Sequence, residues 1–271
     1  MMQFSVLMSI YAGDKAEYIV AAIESILNQT VMPSDIVIVI DGPVSDIVND
    51  KIEKYELRSD FQVVRLEKNK GLGNALRVGM KYTRFDYVAR MDADDISCPN
   101  RFEKQLAVAK VHPEYSVIGG IIEEFDDRTK EVIGKRDVPE FDKDIKKYMK
   151  YRCPFNHMSV LLKKADVEKA GGYLDWHFNE DYYLWVRMAL ANQLFYNVPS
   201  VLVKVRASRE QYERRGGTKM FHSEAALQIY MYKNDMISAV VCFYNIFIRV
   251  IVQLLITNGM RSLIYRLFAR K

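Results

Sequence analysis

Short apolar runs, rich in β-branched residues, alternate with amphipathic stretches of helical period, and this alternation restricts the chain to few folds. The strand-like runs lie at 4–9, 36–40, 61–66 and 87–91. The helical stretches lie at 15–28, 44–57 and 72–82. Strands that alternate with helices form βαβ units, and unbroken runs such as IVIVI suit strands buried on both faces. We therefore predict an α/β fold with a mostly parallel central sheet flanked by helices.

Composition limits the class of protein. The chain has 271 residues, of which 49% are hydrophobic and 27% charged, which is typical of soluble globular proteins and excludes disordered, collagen-like and multi-pass membrane proteins. Three cysteines in no paired spacing, Cys98, Cys153 and Cys242, argue against a disulfide framework or zinc knuckle. The first residues lack the basic and apolar regions of an export signal. We expect a cytoplasmic protein.

Charge is distributed unevenly along the chain. Residues 236–271 carry five basic and no acidic residues, which leaves 34 basic and 35 acidic residues in the other 235. A body that binds nucleic acid would be basic. We therefore expect no nucleic-acid partner, and a near-neutral body with a cationic, apolar tail.

Polar residues follow each of the first four predicted strands. Ligands of open α/β sheets bind outside the carboxyl ends of the strands, so we expect these residues to line one edge. They are Ser9, Tyr11 and Asp14 after the first strand, Asp41 after the second, Asn69 and Gly71 after the third, and Asp92, Asp94 and Asp95 after the fourth.

The aspartates after the fourth strand indicate a cation site. Two carboxylates spaced as Asp92 and Asp94 can hold Mg²⁺ or Mn²⁺ against phosphate oxygens, because such ions are bound through one or two carboxylates plus substrate phosphates. The alternative is a solvated turn in which Asp95 caps the following helix.

Other strand ends indicate a nucleotide pocket. Asp41 is suited to accept a hydrogen bond from a nucleobase imide, with Tyr11 against the ring. The segment KNKGLGNALRVG at 68–79 is a glycine-bearing turn that opens a helix carrying Arg77, where backbone and cations can approach phosphate. Gly71 is alternatively an ordinary turn glycine. Together these elements predict a pocket for a nucleoside diphosphate.

Five ordered motifs carry a family resemblance: SVLMSIYAGD, IVIVIDG, KNKGLGNALRVG, YVARMDADDISCPNRF and NEDYYLWVRMAL. They resemble the family 2 glycosyltransferases with the GT-A fold, and most of all the small bacterial enzymes that add single sugars to lipid-linked capsule, exopolysaccharide or O-antigen intermediates. The resemblance implies a GT-A domain at 1–215, with a nucleotide-sugar-binding half at about 1–115 and an acceptor half at 116–215. Residues 216–271 are predicted to form a C-terminal helical region.

The resemblance also implies an inverting transfer from a nucleotide sugar, with UDP as the expected nucleotide, to a lipid-linked or saccharide acceptor. By position, Asp41 would contact the base, Asp92 the donor sugar or ribose, and Asp94 the metal. Asp181 would be the catalytic base, since inversion requires a carboxylate on the face opposite the diphosphate. The alternative for Glu180 and Asp181 is a pair of acids favoured at a helix N-terminus. Further predicted donor-binding residues in the first half of the sequence are Ser9, Tyr11, Asn69, Gly71 and Arg77.

Two further positions have alternative interpretations. Arg214, in SREQYERRGG, would close over the diphosphate, or belongs to a solvated charge run. Arg215 stands where processive members have tryptophan, which argues against a processive synthase. His157 would approach the acceptor or supply a third metal ligand, or is a hydrogen-bonded structural residue. Competing functions are a sugar-phosphate nucleotidyltransferase and a non-catalytic nucleotide-sugar-binding protein.

The tail has an amphipathic pattern. Within the apolar stretch 239–256, Asn245, Arg249 and Gln253 recur every fourth position and form one helical stripe. We predict a helix lying in the interface of the inner face of the plasma membrane, with this stripe in water, and a second piece after Gly259 attracted to anionic lipid. The alternative is a helix pair that packs on the body or on a second copy in a homodimer.

Overall fold

In the computed structural model, which describes residues 2–207 and 216–255, strands and helices alternate as the sequence predicts. The strands are β1 (Ser5–Ile10), β2 (Asp35–Ile40), β3 (Phe61–Arg65), β4 (Tyr87–Asp92), β5 (Ile96–Ser97), β6 (Tyr115–Asp126), β7 (Val132–Arg136), β8 (Leu161–Lys163) and β9 (Leu194–Ala207). The helices are α1 (Ala16–Leu27), α2 (Asp46–Glu56), α3 (Leu72–Tyr82), α4 (Arg101–Val111), α5 (Asp142–Met149), α6 (Lys164–Lys169), α7 (Glu180–Leu190), α8 (Thr218–Lys233) and α9 (Ala239–Arg249). A 3₁₀ turn covers His157–Ser159, and a π-helical segment, Val250–Leu255, follows α9.

The strands form one mixed sheet in the order β3-β2-β1-β4-β8-β6-β9-β5, with β7 on β6. Strands β3, β2, β1 and β4 are parallel neighbours. The short β8 pairs antiparallel to both β4 and β6, and so joins the parallel part to the parallel pair β6 and β9. The predicted α/β fold is confirmed. The sheet contains strands from both sides of residue 115, the expected boundary between the nucleotide-sugar-binding half and the acceptor half.

The core lies in two apolar layers, one on each face of the sheet. In β2, Ile36, Ile38 and Ile40 belong to the layer with α1 and α2, whereas Val37 and Val39 face α3 and α7. This alternation follows from the two-residue period of a strand. Every residue of β2 is buried, as the IVIVI run predicts for a central strand.

Helices α8 and α9 pack on the body, and the orientation of α9 corrects the predicted tail. Asn245 is 2% exposed, and its Nδ2 donates to Lys150 O at 2.8 Å and to Gln228 Oε1 at 2.7 Å. Arg249 forms an ion pair with Glu224 of α8. The prediction that this stripe lies in water was wrong, because body carbonyls and α8 side chains bind the polar groups of Asn245 and Arg249.

Apolar side chains of α9 and the segment after it point outward instead. They are Val240, Phe243, Tyr244, Phe247, Ile248 and Leu254. Within residues 2–207 and 216–255, no helix combines the length and apolar character needed to cross a bilayer. Gly259 and the second predicted piece of the tail lie outside the described residues.

Candidate active site

The carboxyl ends of β1, β2 and β4 meet at one edge of the sheet. Ser9 of β1 is in register with Asp92 of β4 on one side and with Val39 of β2 on the other. Asp41 follows β2 directly, and its backbone N–H donates to Ile10 O at 2.7 Å. Parallel pairing thus brings Ser9, Asp41 and Asp92 to the same edge, as predicted from their positions after the strands.

Asp41 holds the glycine-bearing turn. Its buried carboxylate accepts hydrogen bonds from Lys70 N at 2.8 Å and from Gly71 N at 2.9 Å. Asn69 Oδ1 accepts from the same Gly71 N–H at 3.2 Å. Gly71 has φ of 85°, a left-handed conformation that favours glycine. A carboxylate has about four lone-pair sites, so Asp41 retains acceptor capacity for a ligand while it positions this turn.

Gly73, two residues after Gly71, allows this turn to lie close to α7. A Cβ on Gly73 would lie 2.9 Å from Leu174 O and 3.1 Å from Glu180 Cβ, closer than a side chain tolerates. Glycine at this position therefore lets the first turn of α3 contact the segment that leads into α7. This contact joins the Asp41 turn to the helix that carries Asp181.

Three aspartates form an acidic cluster beyond β4. Oxygen atoms of Asp92, Asp94 and Asp95 lie within 4.8 Å of one another. Asp95 is 1% exposed; its Oδ1 accepts from Arg206 N at 3.1 Å, and its Oδ2 has no hydrogen-bond partner. The helix-cap interpretation of Asp95 was wrong, because α4 begins after Asn100.

The cluster has the chemistry of a cation site. Burial and the neighbouring charge of Asp92 raise the pKa of Asp94 to about 6, and the same causes raise the pKa of Asp95 well above its usual value. Carboxylates that repel one another in a partly desolvated site are stabilised by a bound cation. With a buried oxygen of Asp95 left without a partner, the residues fit a divalent ion with oxygen ligands.

Asp181 stands in the first turn of α7. Its Oδ1 accepts from Tyr182 N at 2.6 Å, and its Oδ2 accepts from the Cys153 thiol at 3.6 Å. Burial raises the pKa of Asp181, while the positive charges of Arg90 and Arg136 oppose this shift. Helix-terminal stabilisation and a chemical role are compatible here, because the carboxylate is held by one backbone amide and keeps further lone pairs.

Glu180, beside the predicted base, is also perturbed. Burial, followed by the charge of Asp181, raises the pKa of Glu180 to about 7. Adjacent carboxyl groups with raised pKa values are typical of acid–base sites.

Of the remaining predicted donor residues, the structure describes Tyr11 and Arg77. The ring of Tyr11 covers Gly13, since a Cβ there would be 2.6 Å from ring carbons, and Tyr11 N donates to Asp14 Oδ2 at 2.9 Å. Arg77 is exposed on α3 and donates to Asn74 Oδ1 at 2.8 Å. Arg214 falls in 208–215, outside the described residues. Contacts of these residues with a donor stay predictions.

Comparison with known proteins decides the family. Residues 5–168 match the sequence profile described as Glycosyl transferase family 2, which is more than half of the chain. The chain belongs to this family. The resemblance predicted from the five motifs is thereby confirmed.

Similar proteins extend the match beyond residue 168. A protein of Haemophilus influenzae described as an uncharacterized glycosyltransferase is 36% identical over 270 residues, covering 100% of both chains. The amylovoran biosynthesis glycosyltransferase AmsE of Erwinia amylovora is 39% identical over 224 residues, 83% of this chain and 84% of that protein. The UDP-Gal:alpha-D-GlcNAc-diphosphoundecaprenol beta-1,3-galactosyltransferase of Escherichia coli is 36% identical over 271 residues, 99% and 97% of the two chains.

Solved structures match the fold of this family 2 glycosyltransferase. Residues 1–349 of S. aureus TarS in complex with UDP-GlcNAc superpose with a TM-score of 0.69 at 18% identity, covering 92% of this chain and 73% of that one. The protein described here spans 44% of the longer TarS chain. The predicted GT-A fold is confirmed.

Among the described residues, the group whose ligand atoms lie close enough to share a metal ion consists of the three aspartates and does not include His157 of this glycosyltransferase. Its Nε2 is 2.8 Å from the Tyr173 hydroxyl, and its ring packs edge-on against Trp185. Burial lowers the pKa of His157 well below its usual value, so the imidazole is neutral. Of the two interpretations, this geometry favours the hydrogen-bonded structural residue over the metal ligand.

Sequence reasoning missed Arg90, a buried cation between the two acidic groups. Its Nη2 lies 2.5 Å from Asp92 Oδ1, while its Nε and Nη1 have no hydrogen-bond partner. Arg90 and Asp92 are two residues apart in β4 and so share the face that packs toward α7. A charged residue inside the apolar strand YVARMD is the signal that could have identified it, because such groups are rarely buried unless paired.

Proposed function

We propose that this glycosyltransferase moves a sugar from a UDP-sugar, with inversion, to a lipid-linked saccharide in the assembly of a cell-surface polysaccharide. The observation that carries the proposal is the contact of Gly73 with Glu180, which joins the Asp41 turn to the helix of Asp181. The AmsE and galactosyltransferase relatives support the polysaccharide role and the lipid-linked acceptor. The UDP-GlcNAc complex of a similar fold supports a uridine donor.

In this proposal the donor residues other than Arg214 come from the first half, about 1–115, and the base comes from the second half, 116–215. Asp41 would accept from the N–H of uracil, and Tyr11 would lie against the ring. Asn69, Gly71 and Arg77 would approach the phosphates, together with Arg214, and Ser9 and Asp92 would contact the ribose or sugar.

The acidic cluster would hold Mn²⁺ or Mg²⁺, with Asp94 as the principal ligand and Asp92 and Asp95 beside it. A solved mannosyltransferase of this fold from Pyrobaculum calidifontis contains Mn²⁺. When bound, the ion would offset the negative charge that grows on the leaving diphosphate.

Asp181 would accept the proton of the acceptor hydroxyl as that oxygen attacks the anomeric carbon. The new glycosidic C–O bond forms on one face while the bond from the anomeric carbon to the diphosphate oxygen breaks on the other, and UDP leaves with the bonding electrons. The transition state has oxocarbenium character. The positive charge of Arg90, which opposes the rise in the pKa of Asp181 caused by burial, would favour the ionised form of this base.

The family match favours this reaction over a nucleotidyltransferase, and a panel of donors tests it. With Mn²⁺ present, we expect the enzyme to hydrolyse UDP-sugars slowly and not to hydrolyse other nucleotide sugars. UDP-sugars should also raise the melting temperature of the protein by several degrees, since ligand at 100 times its Kd adds about 2.7 kcal/mol of stability. Stabilisation by GDP-sugars and not by UDP-sugars would contradict the assignment of the nucleotide. Donor binding with no turnover toward any acceptor would indicate the non-catalytic alternative.

We further propose that the outward face of α9 rests on an anionic bilayer at the cytoplasmic side of the membrane. Phe243 and Phe247 are 73% and 52% exposed on this face. Residues 256–271, which follow directly, contain four basic and no acidic residues, and such segments are attracted to anionic lipid. An exposed apolar face beside cationic sequence is typical of interfacial helices.

Point substitutions test this face better than deletion of the tail, because Ile237 and Cys242 belong to the core. The pair Phe243→Ser and Phe247→Ser should weaken binding to vesicles with anionic lipid at least tenfold, since each phenyl ring loses about 1.5–3 kcal/mol of burial. The control pair Ile47→Ser and Leu57→Ser, also exposed, should float like wild type. Unchanged flotation of the first pair would contradict the proposal, and loss of a homodimer instead would assign the face to a second copy.

A further inference from the structure

The thiol of Cys153 lies against the proposed base, Asp181. Its Sγ is 3.6 Å from Asp181 Oδ2 and 3.5 Å from Phe155 O. One S–H hydrogen serves these two acceptors, and the carboxylate is the stronger acceptor when it is ionised. The other oxygen of the carboxylate, Oδ1, accepts from Tyr182 N at 2.6 Å. Both oxygens of Asp181 therefore have a donor from the protein.

The surroundings of Cys153 keep its thiol protonated. Burial, followed by the negative charge of Asp181, raises the pKa of the Cys153 thiol, so the sulfur carries a hydrogen to donate at neutral pH. A hydrogen bond to the ionised form of a carboxyl group favours that form. Charged or titratable groups from the surrounding elements also interact with Asp181: Arg90 of β4, Arg136 of β7, Glu180 of α7, and Tyr173.

The backbone that carries Cys153 is held by side chains from other elements. Carbonyl groups between the end of α5 and Cys153 accept their hydrogen bonds. The bonds are Tyr182 Oη of α7 to Met149 O at 2.5 Å, Asn245 Nδ2 of α9 to Lys150 O at 2.8 Å, Arg249 Nη2 of α9 to Tyr151 O at 3.2 Å, and Arg136 Nη2 of β7 to Cys153 O at 2.8 Å. Side chains of three elements therefore fix the position of the thiol relative to α7, as supporting contacts do in a preorganised site.

We infer that Cys153 is a positioning residue for the catalytic base, and that its thiol orients the carboxylate of Asp181 by binding one of the two oxygens. The inference rests on the proposed function, in which Asp181 is the base. In this role the thiol touches neither substrate and forms no covalent bond, and the proton of the acceptor hydroxyl goes to the carboxylate. Cys153 therefore affects the rate only through the orientation and the ionisation of Asp181.

The alternative role of Cys153 is packing, and the two roles predict opposite orders of variants. Cys153 is half-buried and lies against the apolar layer that includes residues of α3 and α7, and free cysteine often behaves as a small hydrophobic residue. Serine keeps the shape of the side chain and supplies a hydroxyl donor, whereas alanine removes the donor and stays apolar. Positioning therefore predicts that serine is the better replacement, and packing predicts that alanine is.

Cys153→Ser and Cys153→Ala test the inference through hydrolysis of UDP-sugar with Mn²⁺, in which water takes the place of the acceptor. We expect alanine to lower kcat about tenfold, because hydrogen bonds to charged groups are the strong ones. Loss of a bond to the ionised form raises the pKa of Asp181, so the acid limb of kcat/KM should move up by roughly half to one pH unit. Serine should keep kcat within about threefold and leave the acid limb in place. The KM for UDP-sugar should stay within about twofold in both variants.

Cys242→Ser and Cys242→Ala are the matched controls, because the Cys242 side chain belongs to the apolar core. Both should keep the kcat and the acid limb of wild type. An unchanged kcat and acid limb in Cys153→Ala would overturn the inference. An equal or larger loss in Cys153→Ser would also overturn it, since that order assigns Cys153 to packing.

Infrared spectroscopy of the thiol separates this inference from the proposed function, because it needs no turnover. The S–H stretching band of Cys153, identified by its loss in Cys153→Ser, should move to lower frequency as Asp181 ionises and should not move with pH in Asp181→Asn. A band that titrates in a protein with no transfer activity would support the contact and contradict the proposed function. Transfer by wild type with a band that does not respond to pH would support the proposed function and overturn the inference.

Discussion

Asp181→Asn should lower kcat by roughly 10² to 10⁴-fold, the usual range for loss of a general base, and leave the Kd for UDP-sugar unchanged. Asparagine can still accept the hydrogen bond that Asp181 receives from Tyr182 N, so α7 should keep its first turn. An amide cannot take the proton of the acceptor hydroxyl. Initial rates of transfer and calorimetric donor binding, measured side by side, check both parts.

The dependence of kcat/KM on pH gives a second readout for the same variant. Because burial raises the pKa of Asp181 and the base must be ionised, the acid limb of wild type should lie above the pKa of a free aspartate. This limb should be absent from the residual activity of Asp181→Asn. Asp50→Asn, the same change at an exposed position of α2, should match wild type in rate and profile. A full transfer rate in Asp181→Asn would refute the assignment of the base.

The part of the fold that sequence predicts best is the run from β1 to β4. There the period switches between strand and helix, and short connections leave parallel pairing as the simple arrangement. Once the strands are parallel, the residues at the carboxyl ends of β1, β2 and β4 must share one edge. Ser9, Asp41 and Asp92 could therefore be grouped from sequence alone.

The second half of the sheet was harder to predict because its pairing is not local. Strand β9 (Leu194–Ala207) contains Pro199 and lies in parallel register beside β6 with three irregularities, and proline within a run argues against a strand. Strand β8 has three residues. Cys153, which contacts Asp181, carries no local signal, since this contact depends on the packing of segments distant in sequence.

Helix α9 illustrates a different limit of sequence reasoning. An amphipathic pattern states that two faces differ, but not which face meets the protein. The partners of Asn245, Lys150 O and Gln228 Oε1, come from other elements, and their hydrogen bonds decide the orientation. If the stripe faced water instead, Lys150 O and Gln228 Oε1 would lose the hydrogen bonds that Asn245 donates to them. Leaving buried acceptors without hydrogen bonds is costly.

Asp94→Asn should lower Mn²⁺-stimulated transfer by about 10² to 10³-fold, because a bound cation supplies several kcal/mol of charge stabilisation. The variant keeps the size of the side chain but removes one of the three clustered carboxylates. Titration of the rate with Mn²⁺ should show a higher metal requirement as well as a lower maximum. Asp50→Asn should leave both values unchanged.

Stability without metal should change in the opposite direction. The pKa of Asp94 in the folded protein, about 6, lies above its ordinary value of 3.8, so ionisation of Asp94 opposes folding and this cost is complete above about pH 6. At pH 7.5 the asparagine variant should gain on the order of 2 kcal/mol in the free energy of unfolding, a rise of a few degrees in melting temperature. Added Mn²⁺ should stabilise wild type by mass action and have little effect on the variant. An equal response of both proteins to Mn²⁺ would mean that the cation binds elsewhere. If the asparagine variant instead melts at a higher temperature without metal and no longer responds to Mn²⁺, the repulsion among these carboxylates is relieved by the ion that they bind.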